Sequence, residues 1–329
     1  MPLISFDNGF YCKQGDFYID PYRPVDRAII THGHSDHCRW GMKKYLAHDE
    51  SLPIMKARLG ADAVIETVPY GLEININGVK VSLHPAGHIV GSAQVRVEYG
   101  GEVWVISGDY KLEDDGISTP FEPVRCHSFV TESTFGLPIY QWEPQEVIME
   151  RIWNWIQANR EMGRASVLVA YTLGKSQRIV HGLAKYGVPI YAHGATVNMN
   201  KAVQQVRPDL PDVFHLTKDT PKADVLDGVI LCPGSALDSP WIRRWQPYAV
   251  GVCSGWMQVR GAQRRRNADA GFVLSDHADW PGLLDAVEAT GAEQVWATHG
   301  FSSILSRYVE EQRGVSAGVV KTQYGEEEE

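Results

Sequence analysis

No stretch of this 329-residue chain approaches 18 consecutive apolar residues, so a helical membrane span is not expected. Its opening, Met1-Pro2-Leu3-Ile4-Ser5-Phe6-Asp7, lacks a basic segment followed by an apolar one, and no secretory signal is expected either. Cysteine is sparse as well. The five present, Cys12, Cys38, Cys126, Cys232 and Cys253, are odd in number, scattered and without a Cys-x-x-Cys pair. They read as reduced core residues of a cytoplasmic protein, and none is assigned to metal. Internal repeats and low-complexity linkers are absent from the sequence, which argues against a solenoid or tethered modules. A composition of 44% hydrophobic and 22% charged residues is that of an ordinary globular protein, and the length suggests about two domains.

Against these absences stands one dense cluster. Thr31-His32-Gly33-His34-Ser35-Asp36-His37 places three histidines and a carboxylate directly after the apolar run Ala28-Ile29-Ile30. Imidazole nitrogen and carboxylate oxygen suit Zn²⁺ or Mn²⁺. In an extended segment alternate residues face one way, so His32 and His34 can share one ion while Asp36 and His37 are offset toward a second. Further ligand types close other apolar runs: His88 after Val79–Leu83, Asp109 after Val103–Ile106, and His299 after Val295–Thr298. Each sits beside a glycine, the arrangement in which α/β folds place chemistry.

The order His-x-His-x-Asp-His, a later Gly-His and then Gly-Asp resembles the metallo-β-lactamase superfamily, with Asp20 matching the aspartate of its first motif. A second set of motifs narrows this. Thr131-Glu132-Ser133-Thr134, Ser275-Asp276-His277-Ala278-Asp279 and Thr298-His299-Gly300 resemble motifs A, B and C of the β-CASP nucleases. Tyr171–Gln177, Pro233–Leu237 and Ser254–Met257 resemble landmarks of the β-CASP insert. The chain is most similar to the bacterial exonucleases associated with a DNA ligase, relatives of the Artemis-type repair nucleases, and the resemblance runs from about Asp20 to about Gly300.

The resemblance implies an αββα metallo-β-lactamase sandwich of the α/β class, formed by residues 1–140 and 270–329, with an α/β β-CASP domain inserted at 141–269 and metals in the cleft between them. The sequence pattern agrees in outline. Short strands and the hairpin signals Asn77-Gly78 and Gly100-Gly101 fill the first part, with a helix expected over 52–59. From Pro144 strands alternate with helices, including a helix expected over 177–186 and a strand over 188–191, which indicates a parallel sheet. Helices are expected again over 282–290 and 303–312.

By the same resemblance His32, His34, His88 and Asp109 would hold one divalent ion and Asp36, His37, Asp109 and His299 another, with Asp109 bridging. Asp20 would orient a ligand histidine. His277 would protonate the departing 3′ oxygen with Glu132 fixing its tautomer, so the catalytic set is His277, Glu132, Asp36 and Asp109. Lys175, Ser176, Ser235 and Arg260 are candidate phosphate contacts. The remaining histidines, His48, His84, His127, His181, His193 and His215, lack paired motifs and read as structural.

The expected function is a two-metal DNA nuclease, a 5′ end-directed exonuclease acting on single-stranded or end-bearing DNA in repair beside DNA ligase and helicase partners, with no membrane involved. Histidine at position 299 departs from the valine usual in eukaryotic DNA-acting relatives and keeps an RNA-processing nuclease as an alternative. A small-molecule metallo-hydrolase would lack the Glu132 and His277 counterparts, and a catalytically dead scaffold has no need of a full ligand set. The net charge of −9 weighs only weakly against nucleic acid, because part of it is the tail Glu326–Glu329 and two bound ions would add about four positive charges. Arg243 and Arg244 beside Trp241 and Trp245, and Arg260 with Arg264, Arg265 and Arg266, read either as a solvated face or as a track for single strands.

Overall fold

The computed structural model describes residues 2–237, 239–259 and 268–320. The chain divides into two compact units, one of Met1–Asp114, Ser118–Gln141 and His277–Glu329, the other of Asp115–Ile117 and Trp142–Asp276.

The first unit holds two sheets. In chain order the strands of one are β1 (Ile4–Asp7), β2 (Gly9–Cys12), β3 (Phe17–Ile19), β4 (Arg27–Ile29), β5 (Lys44–His48) and β6 (Ile65–Val68), which also lie side by side in that order. The other begins with β7 (Ile74–Ile76), β8 (Val79–Pro85), β9 (Ala93–Tyr99), β10 (Glu102–Ile106) and β11 (Ser128–Glu132). Antiparallel pairing through β7–β10 gives way to parallel pairing of β10 with β11. The hairpin turns need left-handed backbone, and Asn77, Gly78, Gly100 and Gly101 supply it with φ of 52°, 87°, 61° and 87°.

Side-chain alternation makes the sandwich. Ile29 of β4 joins Phe10, Phe17 and Ile19 in one apolar core with Val81, Leu83, Val95, Trp104 and Val130 of the facing sheet. Its neighbours Ala28 and Ile30 turn outward onto Met55 and Leu59 of the helix Leu52–Leu59. Val105 and Phe129 likewise face out, onto Leu283, Val287, Leu305 and Val309 of the helices Trp280–Thr290 and Ser302–Arg313. Apolar positions alternating toward a helix layer and toward the other sheet thus build an αββα sandwich.

The second unit is a six-stranded sheet, all parallel in its observed pairings. Its strands are β12 (Ala165–Val169), β13 (Ile190–Ala192), β14 (Phe214–His215), β15 (Val229–Cys232), β16 (Tyr248–Cys253) and β17 (Ala270–Phe272), in the spatial order β14-β13-β15-β12-β16-β17. Because β17 pairs with β16, this unit runs to Asp276, past the boundary at 269 that the sequence suggested. Residues Asp115–Ile117 join it through a buried ion pair, Asp115 to Arg178 at 3.1 Å. The chain then returns to the first unit with β18 (Gln294–Thr298) and β19 (Ser316–Val319), which extend its second sheet beside β11.

Helix ends follow their caps. The helix expected from 177 begins at Lys175, because the Gln177 side chain accepts from the Gly174 N–H at 2.8 Å. That expected from 282 begins at Trp280, where the Asp279 carboxylate accepts from the Gly282 N–H at 3.0 Å.

Candidate active site

Six strand ends of the first unit supply the site. Asp20 follows β3, the loop Thr31–His37 follows β4, His88 follows β8, Asp109 follows β10, Glu132 closes β11 and His299 follows β18. The ligand loop coils into one tight turn, with the N–H groups of His37 and Cys38 bonding the His34 carbonyl at 3.3 and 2.8 Å. Gly108 lets the β10 end press against this loop. Its φ is +57°, and a Cβ there would stand 2.7 Å from the Thr31 side chain.

Around Asp109 the ligand atoms converge. Its Oδ2 lies 3.5 Å from His32 Nε2, 3.6 Å from His37 Nε2 and 3.7 Å from His88 Nε2. His34 Nδ1 stands 3.1 Å from His32 Nε2 and 3.0 Å from His88 Nε2. Four ligands each about 2.0–2.1 Å from one tetrahedral ion would be spaced roughly 3.4 Å apart, so His32, His34, His88 and Asp109 fit a single divalent ion. On the other side of Asp109, His37 Nε2 is 3.7 Å from Asp36 Oδ2, and His37, Asp109 and His299 line one small cavity. Those four are the set the resemblance implies for a second ion, while the other compact group of possible ligand atoms around the same aspartate is Asp109, Glu132 and His277.

Outer contacts aim the ligands. The Asp20 carboxylate accepts from the Thr31 N–H at 2.8 Å and the Thr31 hydroxyl at 2.6 Å, and pairs with His37 Nδ1 at 2.8 Å, which turns His37 Nε2 toward Asp109. The Ser92 hydroxyl accepts from the N–H groups of His88 and Ile89 at 3.1 and 3.2 Å and so braces the His88 loop. Asp20 and His299 both hold left-handed backbone, with φ of 45° and 57°. The Ser133 hydroxyl, directed at the carbonyls of Thr298 and His299, ties the latter strand end to β11.

Charge in this group, buried except at Asp36 and His34, is tightly balanced. Loss of solvation, then the neighbouring His37, holds His32 well below the ordinary histidine range. The same two causes push His299 down to about 4. Burial opposes the charged form of His37, yet Asp109, Asp20 and Asp36 together raise it to about 10. Burial pushes Asp109 up to about 7 against the pull of His37. Asp36 is brought down to about 2, burial being outweighed by His37 and His34. A divalent ion would displace the protons held here, since neutral imidazole and ionised carboxylate are the ligating forms.

Glu132, fully buried, has its oxygens engaged by the Tyr110 N–H at 2.8 Å, the Thr134 hydroxyl at 2.6 Å and His277 Nδ1 at 2.8 Å. Burial works against its charge, but His277 and these donors keep it below the usual glutamate range. His277 Nδ1 also lies 4.0 Å from Asp109 Oδ2, so the pair abuts the ligand cluster.

Lys175, Ser176 and Ser235, candidate phosphate contacts, belong to the second unit. In the second unit Lys175 is buried with its Nζ 3.0 Å from Asp276, and the Ser176 hydroxyl donates to the Tyr171 carbonyl at 2.6 Å, so both side chains serve internal contacts. Ser235 is exposed at the turn after β15. Arg260, Arg264, Arg265 and Arg266 lie outside the described residues. Trp245 is buried in the core of the second unit with Arg244 over its ring, which removes it from any strand track. Thr31, Ser92, Ser133 and Thr134 escaped the sequence reading as supports. Only their position beside ligand or motif residues hinted at them, and a hydroxyl there has many ordinary uses.

A sandwich of this kind, with histidines and aspartates at its strand ends, is the architecture of the metallo-β-lactamase type. Residues 21–152 match the metallo-beta-lactamase superfamily, so the chain carries a domain of that family. Over 96% of its length it is 30% identical to a protein named probable DNA ligase from Opitutus terrae, covering 31% of that protein. It is also homologous to β-CASP nucleases. Endoribonuclease ysh1 of Schizosaccharomyces pombe is 24% identical over 67% of this chain and 34% of that protein. Cleavage and polyadenylation specificity factor 73 of Drosophila melanogaster is 25% identical over 54% of this chain and 28% of that protein. The chain thus spans about a third or less of these relatives. A crystal structure of a protein of unknown function from Enterococcus faecalis shares the fold, with a TM-score of 0.61 and 11% identity across 91% of this chain and 80% of that one. Among the described residues no helix is long and apolar enough to cross a membrane.

Proposed function

We propose that this protein is a two-metal nuclease that hydrolyses DNA phosphodiesters, working from 5′ ends of single-stranded or end-bearing DNA in repair. The observation that carries the reading is the pair of buried Glu132 and His277 at 2.8 Å beside the Asp109 ligand cluster, a proton donor set next to the candidate metal ligands. Similarity to the probable DNA ligase over 96% of the chain supports DNA as the substrate. A cytoplasmic setting with ligase and helicase partners belongs to the same reading.

His32, His34, His88 and Asp109, with Asp36, His37 and His299, would hold two divalent ions, Zn²⁺ first and Mn²⁺ second by ligand type. Bound there, the ions supply an activated water and neutralise the phosphate oxygens. The protein's own part is proton handling. Glu132, kept ionised, accepts from His277 Nδ1 and stabilises the imidazolium, whose Nε2 proton passes to the departing 3′ oxygen. Asp20 holds the tautomer of His37 in the same manner.

An RNA-processing role is the second reading, favoured by His299 and by the endoribonuclease relatives. End-labelled single-stranded DNA and RNA of one sequence, assayed side by side with Zn²⁺ or Mn²⁺, distinguish the two. Faster loss of a 5′ label from DNA is expected. Faster RNA cleavage would transfer the assignment to RNA, and hydrolysis of neither would remove the nuclease reading.

A further inference from the structure

The chain passes between its two units at four points, after Asp114, Ile117, Gln141 and Asp276. Within the second unit one side chain reaches the chain beside three of them. Arg178, fully buried, sets its Nε 3.1 Å from Oδ2 of Asp115, the first residue of that unit, and 3.7 Å from Oδ1 of Asp276, the last. Its Nη1 donates to the Ser275 carbonyl at 3.2 Å and to Gln145 Oε1 at 3.4 Å, close behind Trp142, where the chain enters the unit again. Other positions on the same helix, Lys175–Ala184, hold the same segments. Lys175 Nζ pairs with Asp276 Oδ2 at 3.0 Å, and His181 lies against Gly116, where a Cβ would stand 2.8 Å from its Nε2. Residues three apart on a helix are neighbours on its surface, so positions 175, 178 and 181 form one anchoring stripe.

We propose that Arg178 is a positioning residue for the proton donor: by holding Ser275 and Asp276 it fixes the backbone from which His277, the next residue, projects. The inference rests on the nuclease reading and adds to it a residue that acts only through the chain it grips. Burying two cations and two carboxylates loses about as much in desolvation as their attraction returns, and apolar side chains of similar volume would stabilise the unit as well. An apolar core that includes Val167, Ile230, Val250 and Trp245 already does so. What a planar guanidinium supplies and methylenes do not is direction, since each N–H asks for a partner along its own axis.

C-terminal to His277 the first unit holds the chain as well. The Ala278 N–H donates to the Tyr110 carbonyl at 2.6 Å, and the Asp279 carboxylate caps the helix Trp280–Thr290. The Tyr110 N–H in turn donates to Glu132, whose other oxygen meets His277 Nδ1 at 2.8 Å. His277 therefore stands on a peptide pinned in both directions. A tilt of the Asp276 peptide would displace Nε2, the atom that gives up the proton, and misplacement of about 1 Å is enough to cost a catalytic group most of its effect.

The test separates aim from stability. Arg178→Lys keeps the charge and loses the fork. Arg178→Met combined with Asp115→Asn removes one cation and one carboxylate together and leaves Lys175 with Asp276, so no buried charge is stranded. Val225→Ala, in the apolar core of the same unit, lowers stability without touching the cluster. With the metal-loaded proteins, kcat on DNA, or on RNA if that is the faster substrate, should fall about 10- to 100-fold in both Arg178 variants, with KM and metal content kept. On a nitrophenyl phosphodiester, whose leaving group needs no proton, the fall should be less than about threefold. In a His277→Ala background the Arg178 changes should add little on either substrate, because the group they aim is gone. Val225→Ala should melt lower and leave the ratio of the two rates at its wild-type value.

A second readout needs no turnover. The proton between His277 Nδ1 and Glu132 should give a low-field NMR signal in the zinc-loaded protein, absent from His277→Ala, and Arg178→Lys should shift it or speed its exchange. Equal losses on the two substrates, additive losses in the His277→Ala background, or an unmoved low-field signal would overturn the positioning role and leave Arg178 a stabilising contact. Failure of wild type to cleave either strand would undo the nuclease reading instead, and the low-field signal would still decide whether Arg178 holds His277.

Discussion

A single carboxylate oxygen of Asp109 stands within 3.7 Å of three imidazole nitrogens. Removing it takes a ligand from both groups at once. Asp109→Ala should therefore abolish hydrolysis and lower metal content below that of any single histidine variant, as elemental analysis of the purified protein would register; two ions per chain with normal activity would contradict the bridge. His277 lies at the margin, linked to Glu132 more closely than to Asp109, at 2.8 against 4.0 Å. His277→Ala should keep its metal and lose about 10²–10⁴-fold in rate on DNA. On a nitrophenyl phosphodiester, whose leaving group departs without a proton, the loss should be much smaller, and Glu132→Gln should show a milder form of the same pattern. Equal losses on both substrates, or metal missing from the His277 variant, would reassign its role.

At the level of the element, the site depends on strand ends that turn sharply and come close. Gly108 is the clearest case, since its positive φ disfavours any other residue and its missing Cβ makes room for Thr31. Thr31 in turn holds Asp20, and Asp20 holds His37. Gly108→Ala should cost about 2 kcal/mol through backbone strain and crowding, and should loosen the ligand loop. The readouts are a lower melting temperature and weaker metal retention against a chelator. A variant that melts lower yet holds metal as wild type does would confine the effect to stability.

Across the whole molecule the buried thiols offer a further test. Cys38, Cys126, Cys232 and Cys253 are each pushed by burial from an ordinary value near 9 up to about 12. Below pH 9 they are protonated in folded and unfolded chains alike and add no pH dependence. Between pH 9 and 12 the unfolded chain gives up protons that the folded chain keeps, so stability falls as pH rises, by up to about 1.4 kcal/mol per pH unit per thiol. Urea midpoints under reducing conditions should drop between pH 8 and pH 10.5. The double variant Cys232→Ala, Cys253→Ala should start lower, because two buried groups are lost, but fall less steeply. A parallel fall would show that other groups govern alkaline unfolding.

The cluster of ligand-type residues at 32–37 was legible in the chain because it rests on local information, residue type and spacing after an apolar run, whereas the Glu132 and His277 partnership and the sandwich class came from the resemblance of motifs far apart in the sequence. Helix starts were less so, since Gln177 and Asp279 cap through side-chain bonds that spacing alone does not reveal. What the tertiary structure decided is everything that joins distant segments. It brought Asp20 to His37 and Ser133 to His299, buried Lys175 on Asp276 and Trp245 in a core, and set Phe6 and Tyr22 beside Asp36 and His299. A hydroxyl, a lysine or a tryptophan has too many possible partners for sequence to choose among them. The choice is made by which strand ends meet, and that follows from packing two sheets on one core.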